Sequence, residues 1–332
     1  MYTAKDFKSD QAVRWCPGCG DHAVLNYLHK AMAEAGVPTH KVAVLSGIGC
    51  SSRLPHYVNS YGFNSIHGRG AAIASGVKVS NPELSVWQVS GDGDCMAIGG
   101  NHFIHAVRRN LNINMMLFNN RIYGLTKGQY SPTSPKGYVS KSSPFGTVER
   151  PFRPAELVFG ARGTFFARML DVDQPTALKV LKAAHEHKGY SVCECLVSCV
   201  IFTKNTHEWL SKKENRADRT IFLEDGKPMI FGNERNKGLV LDGFDLKVVT
   251  IGENGVTEND ILVHDTKCQD TTIHLKLALM DGPDMPIALG VIRAVEEETY
   301  DEAVEKQIAE VQAKTDKHSF DDLMDSLEQW DM

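Results

Sequence analysis

The sequence predicts an α/β protein built on a doubly wound, mostly parallel sheet, followed by a C-terminal extension. Three observations predict it. From residue 20 to about 200, short apolar or β-branched runs alternate with stretches of helical period, which specifies parallel strands with right-handed crossovers. Of the 332 residues, 42% are hydrophobic and 23% charged, enough apolar side chain for a large core. One strand-like run passes straight into a glycine-rich turn at Gly91, and such sheets bind ligands at the carboxyl ends of their strands.

Each element has its own signal. Asp21–Ala35 (DHAVLNYLHKAMAEA) is amphipathic and is ended by Gly36 and Pro38. Residues 41–46 (KVAVLS) form a short β-branched run. Residues 69–79, rich in small side chains, predict a tightly packed helix. A strand over 85–90 (SVWQVS) is followed by a helix over 99–110 and a buried strand over 113–118 (INMMLF). A helix over 174–188 and a strand over 191–197 close the series. Between Arg121 and Arg150 the pattern breaks into Gly, Pro, Ser and Thr; a loop this long inside a domain is functional or disordered. Beyond about 203 the chain is charged to Arg219, then strand-like with Gly turns to Gly252. It ends in an acidic, helix-forming tail over 296–332. The expected division is a cofactor-binding domain over 1–205 and an extension over 206–332 that serves as a subunit-contact arm.

Composition excludes several classes. Lysine plus arginine number 36 against 41 acidic residues, a net charge of −5, which argues against a general nucleic-acid binder. No run approaches the roughly 18–20 apolar residues of a membrane span, and MYTAKDFKSDQ lacks the apolar core of a secretory signal. Eight cysteines are too few for a disulfide-stapled chain of this length. A cytoplasmic protein is expected.

Two constellations carry chemistry. Gly91-Asp92-Gly93-Asp94 ends one predicted strand and Asn119-Asn120 the next, with 25 residues between Gly93 and Asn119. One helix and one returning strand fill that gap, so Asp92 and Asn120 arrive side by side. Two hard oxygen ligands suit Mg²⁺ when it also holds a diphosphate. The adjacent glycines let backbone approach phosphate oxygens. The second constellation is cysteine: Cys16-Pro17-Gly18-Cys19, Cys50 directly after the first strand, and Cys193, Cys195 and Cys199 near the last. Four thiolates from three segments suit Zn²⁺ or an iron–sulfur cluster, and spacing does not distinguish them. Cys193 and Cys195 are expected as strand cysteines of alternating facing, and Cys95 and Cys268 as packing residues.

WCPGCG, GIGCSS, HGRG, VSGDGD and NNRIYGLTKGQYSPT follow one another in this order. With them the chain resembles the β subunits of the 2-oxoacid:ferredoxin oxidoreductases, strongly over residues 11–205 and weakly beyond. The resemblance implies a sheet of the thiamine-diphosphate-binding type, and thiamine diphosphate, Mg²⁺ and one 4Fe–4S cluster as cofactors. It puts the cluster on Cys16, Cys19, Cys50 and Cys199, the last in Cys199-Val200-Ile201-Phe202, where Ser198 replaces the family's proline. It puts Mg²⁺ on Asp92, Asn120 and the carbonyl of Ile122. The diphosphate falls to His67, Gly93, Asp94, Gly124 and Leu125, largely through backbone N–H groups, and Ile48, Gly49, Cys50 and Ser51 face the thiazolium side.

The implied reaction is reversible, coenzyme A-dependent decarboxylation of a 2-oxoacid, with electrons leaving through the cluster to ferredoxin. Arg53, three residues past Cys50, is the candidate to grip a second carboxylate of the substrate, which favours 2-oxoglutarate over pyruvate or another 2-oxoacid. The glutamate that activates the cofactor is expected on a partner α subunit, in an α2β2 assembly. No nucleic acid or membrane partner is expected. The alternative of another class is a zinc-binding scaffold without enzymatic activity.

Overall fold

Alternating facing of the strand residues explains the architecture. In β1 (Val42–Ser46) Val42 and Val44 point to one core while Ala43 and Leu45 point to the other. The same division holds in β3 (Ser85–Gly91), β4 (Ile113–Asn119), β5 (Phe165–Leu170) and β6 (Tyr190–Leu196), while β7 (Thr220–Leu223) gives Ile221 and Leu223 to the second core and the edge strand β2 (Tyr61–Asn64) is largely exposed. A sheet buried on both faces needs helices on both. One face is covered by α1 (Asp21–Ala35). The other takes α2 (Gly70–Ser80), the short α3 (Asp92–Met96), α4 (Gly100–Arg109) and α5 (Pro154–Gly160). Then α6 (Gln174–Glu186) packs beside α1, while α7 (Glu208–Ser211) and α8 (Lys213–Arg219) lead to β7. The computed structural model describes residues 2–204, 206–314 and 319–325.

The main sheet has eight strands in the order β2-β1-β3-β4-β6-β5-β11-β7, where β11 is Ile287–Ala294. All its pairings are parallel except β11 against β5. The extension beyond residue 205 therefore supplies two strands of the same sheet, and residue 205 is no edge of it. The rest of the extension is a three-stranded antiparallel sheet of β8 (Ile230–Phe231), β9 (Lys237–Asp242) and β10 (Asp245–Thr250), with α9 (Thr272–Leu279) returning to β11. The acidic tail forms α10 (Tyr300–Lys314) and α11 (Phe320–Asp325). Its residues 315–318 and 326–332 lie outside the described residues.

From Asp21 to Val197 the predicted helices and strands lie within a residue or two of their expected bounds, while the acidic tail turns helical only at Tyr300. The sequence reading passed over β2, β5, β7 and β11 as strands of this sheet. Cys193 and Cys195 correct a second expectation. Being two apart on β6, they face the same core rather than alternating, and both are buried.

Candidate active site

β1, β3 and β4 end side by side, and the loops that leave them enclose a cavity of about 340 Å³. Ile48, Gly49, Cys50 and Ser51 line it from the loop after β1, Asp92, Gly93 and Asp94 from the turn after β3, and Asn120, Ile122, Gly124 and Leu125 from the loop after β4. His67 closes one side. All the residues expected around the diphosphate and its cation thus meet in one place. Arg53 does not line the cavity. It sits half-buried in the 3-10 helix Ser51–Tyr57 and acts electrostatically on Cys50.

Asp92 is buried at the start of α3. Ser131 Oγ donates to its Oδ2 at 2.5 Å, and Thr133 Oγ1 donates to the same oxygen. Burial still outweighs these bonds and pushes its carboxyl up to about 6. Among the described residues it has no basic partner. A buried carboxylate without a counter-charge, facing the amide of Asn120 across a cavity, fits a hard cation. Asn120 Oδ1 accepts from the Ile122 N–H at 3.2 Å, which orders the turn that carries both.

Asp94 lines the cavity, but its carboxylate is engaged in building the walls. Oδ1 accepts from Gly68 N–H (2.7 Å), Ile48 N–H (3.1 Å) and His67 Nδ1 (2.6 Å), and Oδ2 accepts from Ser90 Oγ (2.5 Å). Two consequences bear on the expected roles. The Asp94 side chain staples two loops to β3, so only its backbone is free to meet a diphosphate. With Nδ1 on Asp94, the His67 ring can donate to an anion only from a protonated Nε2. The staple also demands a glycine at Gly47, where a Cβ would sit 1.8 Å from Asp94 Oδ2.

Of the four cysteines expected to bind a cluster, all free thiols, Cys50 lines the cavity and Cys199 stands beside it at Gly124, while Cys16 and Cys19 lie outside the cavity lining. Cys16 is exposed, while Cys19, Cys50 and Cys199 are half-buried. A tight turn joins Cys19 N–H to Cys16 C=O (3.1 Å), with Gly18 in the left-handed region at φ 83°. Cys50 and Cys199 both approach Gly124: a Cβ there would lie 3.4 and 4.0 Å from their sulfurs. Burial pushes the Cys50 thiol up to about 11, and burial and the neighbouring Asp21 raise that of Cys19. Among the described residues no three His, Cys, Asp or Glu side chains gather closely enough to hold a metal ion, the four cysteines included.

Sequence reading missed several participants. The Trp15 indole N–H donates to Cys50 C=O at 2.6 Å and fixes that loop. Tyr123 packs over Gly93, where a Cβ would meet its ring at 2.4 Å, and its hydroxyl donates to Gly93 C=O. Ser131 and Thr133 reach Asp92 from the long loop. Glu194, fully buried on β6, is paired with Arg168 of β5. Burial opposes its charge, but the guanidinium and Asn119 hold its carboxyl below the usual value. The only sequence signal for Glu194 was an acid inside an apolar strand.

A parallel sheet with these loops at its carboxyl edge fits a thiamine-diphosphate enzyme, and residues 47–195 match the family described as "Thiamine pyrophosphate enzyme, C-terminal TPP binding domain". The chain is 45% identical over 305 residues to the 2-oxoglutarate oxidoreductase subunit KorB of Mycobacterium tuberculosis, covering 92% of this chain and 81% of that one. It is 43% identical over 185 residues to the 2-oxoglutarate synthase subunit KorB of Methanothermobacter thermautotrophicus, covering 56% and 65%. Its fold superposes on the 2-oxoglutarate:ferredoxin oxidoreductase of Magnetococcus marinus, solved with 2-oxoglutarate, coenzyme A and succinyl-CoA bound. The TM-score is 0.78 at 30% identity, over 99% of this chain and 97% of that one. The chain belongs to the β subunits of the 2-oxoacid:ferredoxin oxidoreductases.

Proposed function

We propose that this subunit serves the reversible conversion of 2-oxoglutarate and coenzyme A to succinyl-CoA and CO2, with the electrons handed through a 4Fe–4S cluster to ferredoxin. The observation that carries the proposal is the double position of Cys50. It lines the cofactor cavity and also stands with Cys199 around Gly124, so electrons have a short path out of the cavity. Bound thiamine diphosphate supplies an electron sink for the decarboxylation, and the cluster supplies one-electron transfer. In this reading Asp92, Asn120 and the Ile122 carbonyl hold Mg²⁺. Backbone at Gly93, Asp94, Gly124 and Leu125, with His67, holds the diphosphate. The loop Ile48-Gly49-Cys50-Ser51 faces the reacting ring, and Cys16, Cys19, Cys50 and Cys199 hold the cluster. Arg53, outside the cavity lining but electrostatically coupled to Cys50, would read the distal carboxylate of a substrate that reaches past the Cys50 loop.

The site needs a partner. Among the described residues no glutamate lines the cavity to activate the cofactor, and in this reading an α subunit supplies it. Exposed apolar side chains flank the opening: Ile48 and Leu125 on its wall, Ile66 beside His67, and Ile98 against Gly68. Such a patch marks a protein interface. We assign an α2β2 assembly, α10 as part of a subunit-contact arm in a C-terminal extension, ferredoxin docking near exposed Cys16, and a cytoplasmic setting. No helix among the described residues is long and apolar enough to cross a membrane.

The test is coenzyme A-dependent viologen reduction by the anaerobically purified complex. Activity with 2-oxoglutarate and little with pyruvate is expected; activity with pyruvate alone overturns the substrate assignment. Arg53→Ala should lower the 2-oxoglutarate over pyruvate kcat/KM ratio about tenfold or more, the worth of a charged hydrogen-bonded pair. An unchanged ratio removes Arg53 from the site. Full turnover by the isolated chain would refute the need for a partner.

A further inference from the structure

A row of buried polar side chains runs from the middle of the sheet to Asp92. Arg168 Nε donates to Glu194 Oε2 at 2.7 Å, and Asn119 Nδ2 donates to Glu194 Oε1 at 2.7 Å. Asn119 Oδ1 lies 3.1 Å from Thr133 Oγ1, whose proton also serves Asp92 Oδ2. One hydroxyl proton is therefore shared between two acceptors, and the place of the Asn119 amide sets how much of it Asp92 receives. Ser131, 3.2 Å from Thr133, donates to the same Asp92 oxygen. Arg168, Glu194, Asn119, Ser131 and Thr133 are all at least nine-tenths buried.

Stability alone does not account for this row. Arg168 and Glu194 are cross-strand partners on β5 and β6, and their flanking positions are filled by Ala167, Met169, Cys193 and Cys195. Replacing a buried ion pair with well-packed apolar residues is often neutral or stabilising. The row ends on the carboxylate that faces the cavity. Its two hydroxyl donors occupy Oδ2 and leave Oδ1 without a side-chain donor among the described residues.

We infer that Glu194, held by Arg168, is a positioning residue for the cation site: through Asn119 and Thr133 it fixes the Asp92 carboxylate so that one oxygen is saturated and the other is presented to Mg²⁺. The inference rests on Asp92 and Asn120 being the cation ligands. Groups one layer behind metal ligands typically change metal affinity about 10–100-fold when removed.

The test uses the intact, cluster-loaded complex and reads thiamine diphosphate binding by calorimetry across a Mg²⁺ titration. Thr133→Val keeps the shape and removes the proton. The double variant Arg168→Met/Glu194→Met removes the pair without leaving a lone buried charge. Both should raise the Mg²⁺ needed for half-saturation about 10–100-fold, with iron content and melting temperature near wild type. Thr133→Ser should restore the wild-type value. If the double variant does not fold, Thr133→Val and its rescue decide. Asp92→Asn is the control: if it abolishes the Mg²⁺ requirement while the relay variants bind as wild type, the positioning role is wrong. A lowered melting temperature with unchanged Mg²⁺ dependence makes the row purely structural and overturns it too. Wild-type Mg²⁺ dependence in Asp92→Asn overturns the ligand assignment itself, and the inference with it.

Discussion

Gly47 lies where two chain segments come closer than a side chain permits. Asp94 reaches across it to the Ile48 and Gly68 N–H groups, and a methyl at 47 would overlap Asp94 Oδ2. Gly47→Ala should cost about 1–3 kcal/mol by overpacking and displace the Ile48–Ser51 loop. Thermal denaturation and cofactor binding check both; a variant unchanged in both would show that the staple is dispensable. The cysteines give a paired prediction. Cys199→Ser should lose most of the visible absorbance and iron of the complex, while Cys195→Ala, in the core of β6, should keep both; the reverse result moves the ligand to the strand. The motif residues were legible because close backbone approach and hard or soft ligands demand particular residue types at fixed spacings. Ser131, Thr133 and Trp15 were not, because a hydroxyl or indole becomes a site residue only through the partner the fold brings to it. The task of the Asp94 side chain was hidden for the same reason: two loops and Ser90 of β3 claim its oxygens.

Helix α6 shows what can be read at the scale of an element. Asp173 caps it, with Oδ1 accepting from Thr176 N–H at 3.3 Å and Oδ2 from Thr176 Oγ1 at 2.7 Å. Pro175 falls in the first turn, where it is tolerated. Asp173→Ala should lower stability by about 1 kcal/mol, seen as an earlier denaturant midpoint with cofactor binding unchanged. A loss of cofactor binding would mean that α6 does more than support β5 and β6. Helices α1 and α6 and strands β1, β3, β4 and β6 were legible because local period and local stop signals define them. β5 was missed because Ala167 and Arg168 dilute its apolar run; Arg168 looks like a surface residue until Glu194 lies opposite it. β11 was missed for a different reason. It joins the sheet antiparallel to β5, more than 100 residues away in sequence, and no local pattern encodes that partner.

The whole molecule depends on knots between distant segments, and one of them is sensitive to pH. Asn110, the left-handed C-cap of α4 at φ 51°, accepts from Thr164 Oγ1 (2.7 Å) and Tyr190 N–H (3.0 Å). Its amide donates to the carbonyls of Glu297 and Glu298, just before α10. Because the Thr164 proton goes to Asn110, Thr164 accepts from His187 Nε2 at 2.9 Å. The His187 ring packs against Phe165, and burial pushes its pKa down to about 4. The unfolded chain then binds more protons at this residue between its usual value of about 6.5 and about 4. Stability rises with pH wherever the unfolded state binds more protons, so the contribution of His187 is present above pH 6.5 and lost as pH falls toward 4. It amounts to an order of 3 kcal/mol. Burial raises the carboxyls of Asp171 and Asp21, to about 6 and about 7, and these act with the opposite sign. The raw pH profile is therefore a sum, and only a difference between variants isolates the histidine. His187→Gln keeps an amide donor for Thr164 and removes the titration. Denaturant unfolding at pH 7 and pH 4.5 should show the variant losing less stability than the wild type. Equal losses would mean that His187 is protonated in the folded protein and that this knot does not respond to acid.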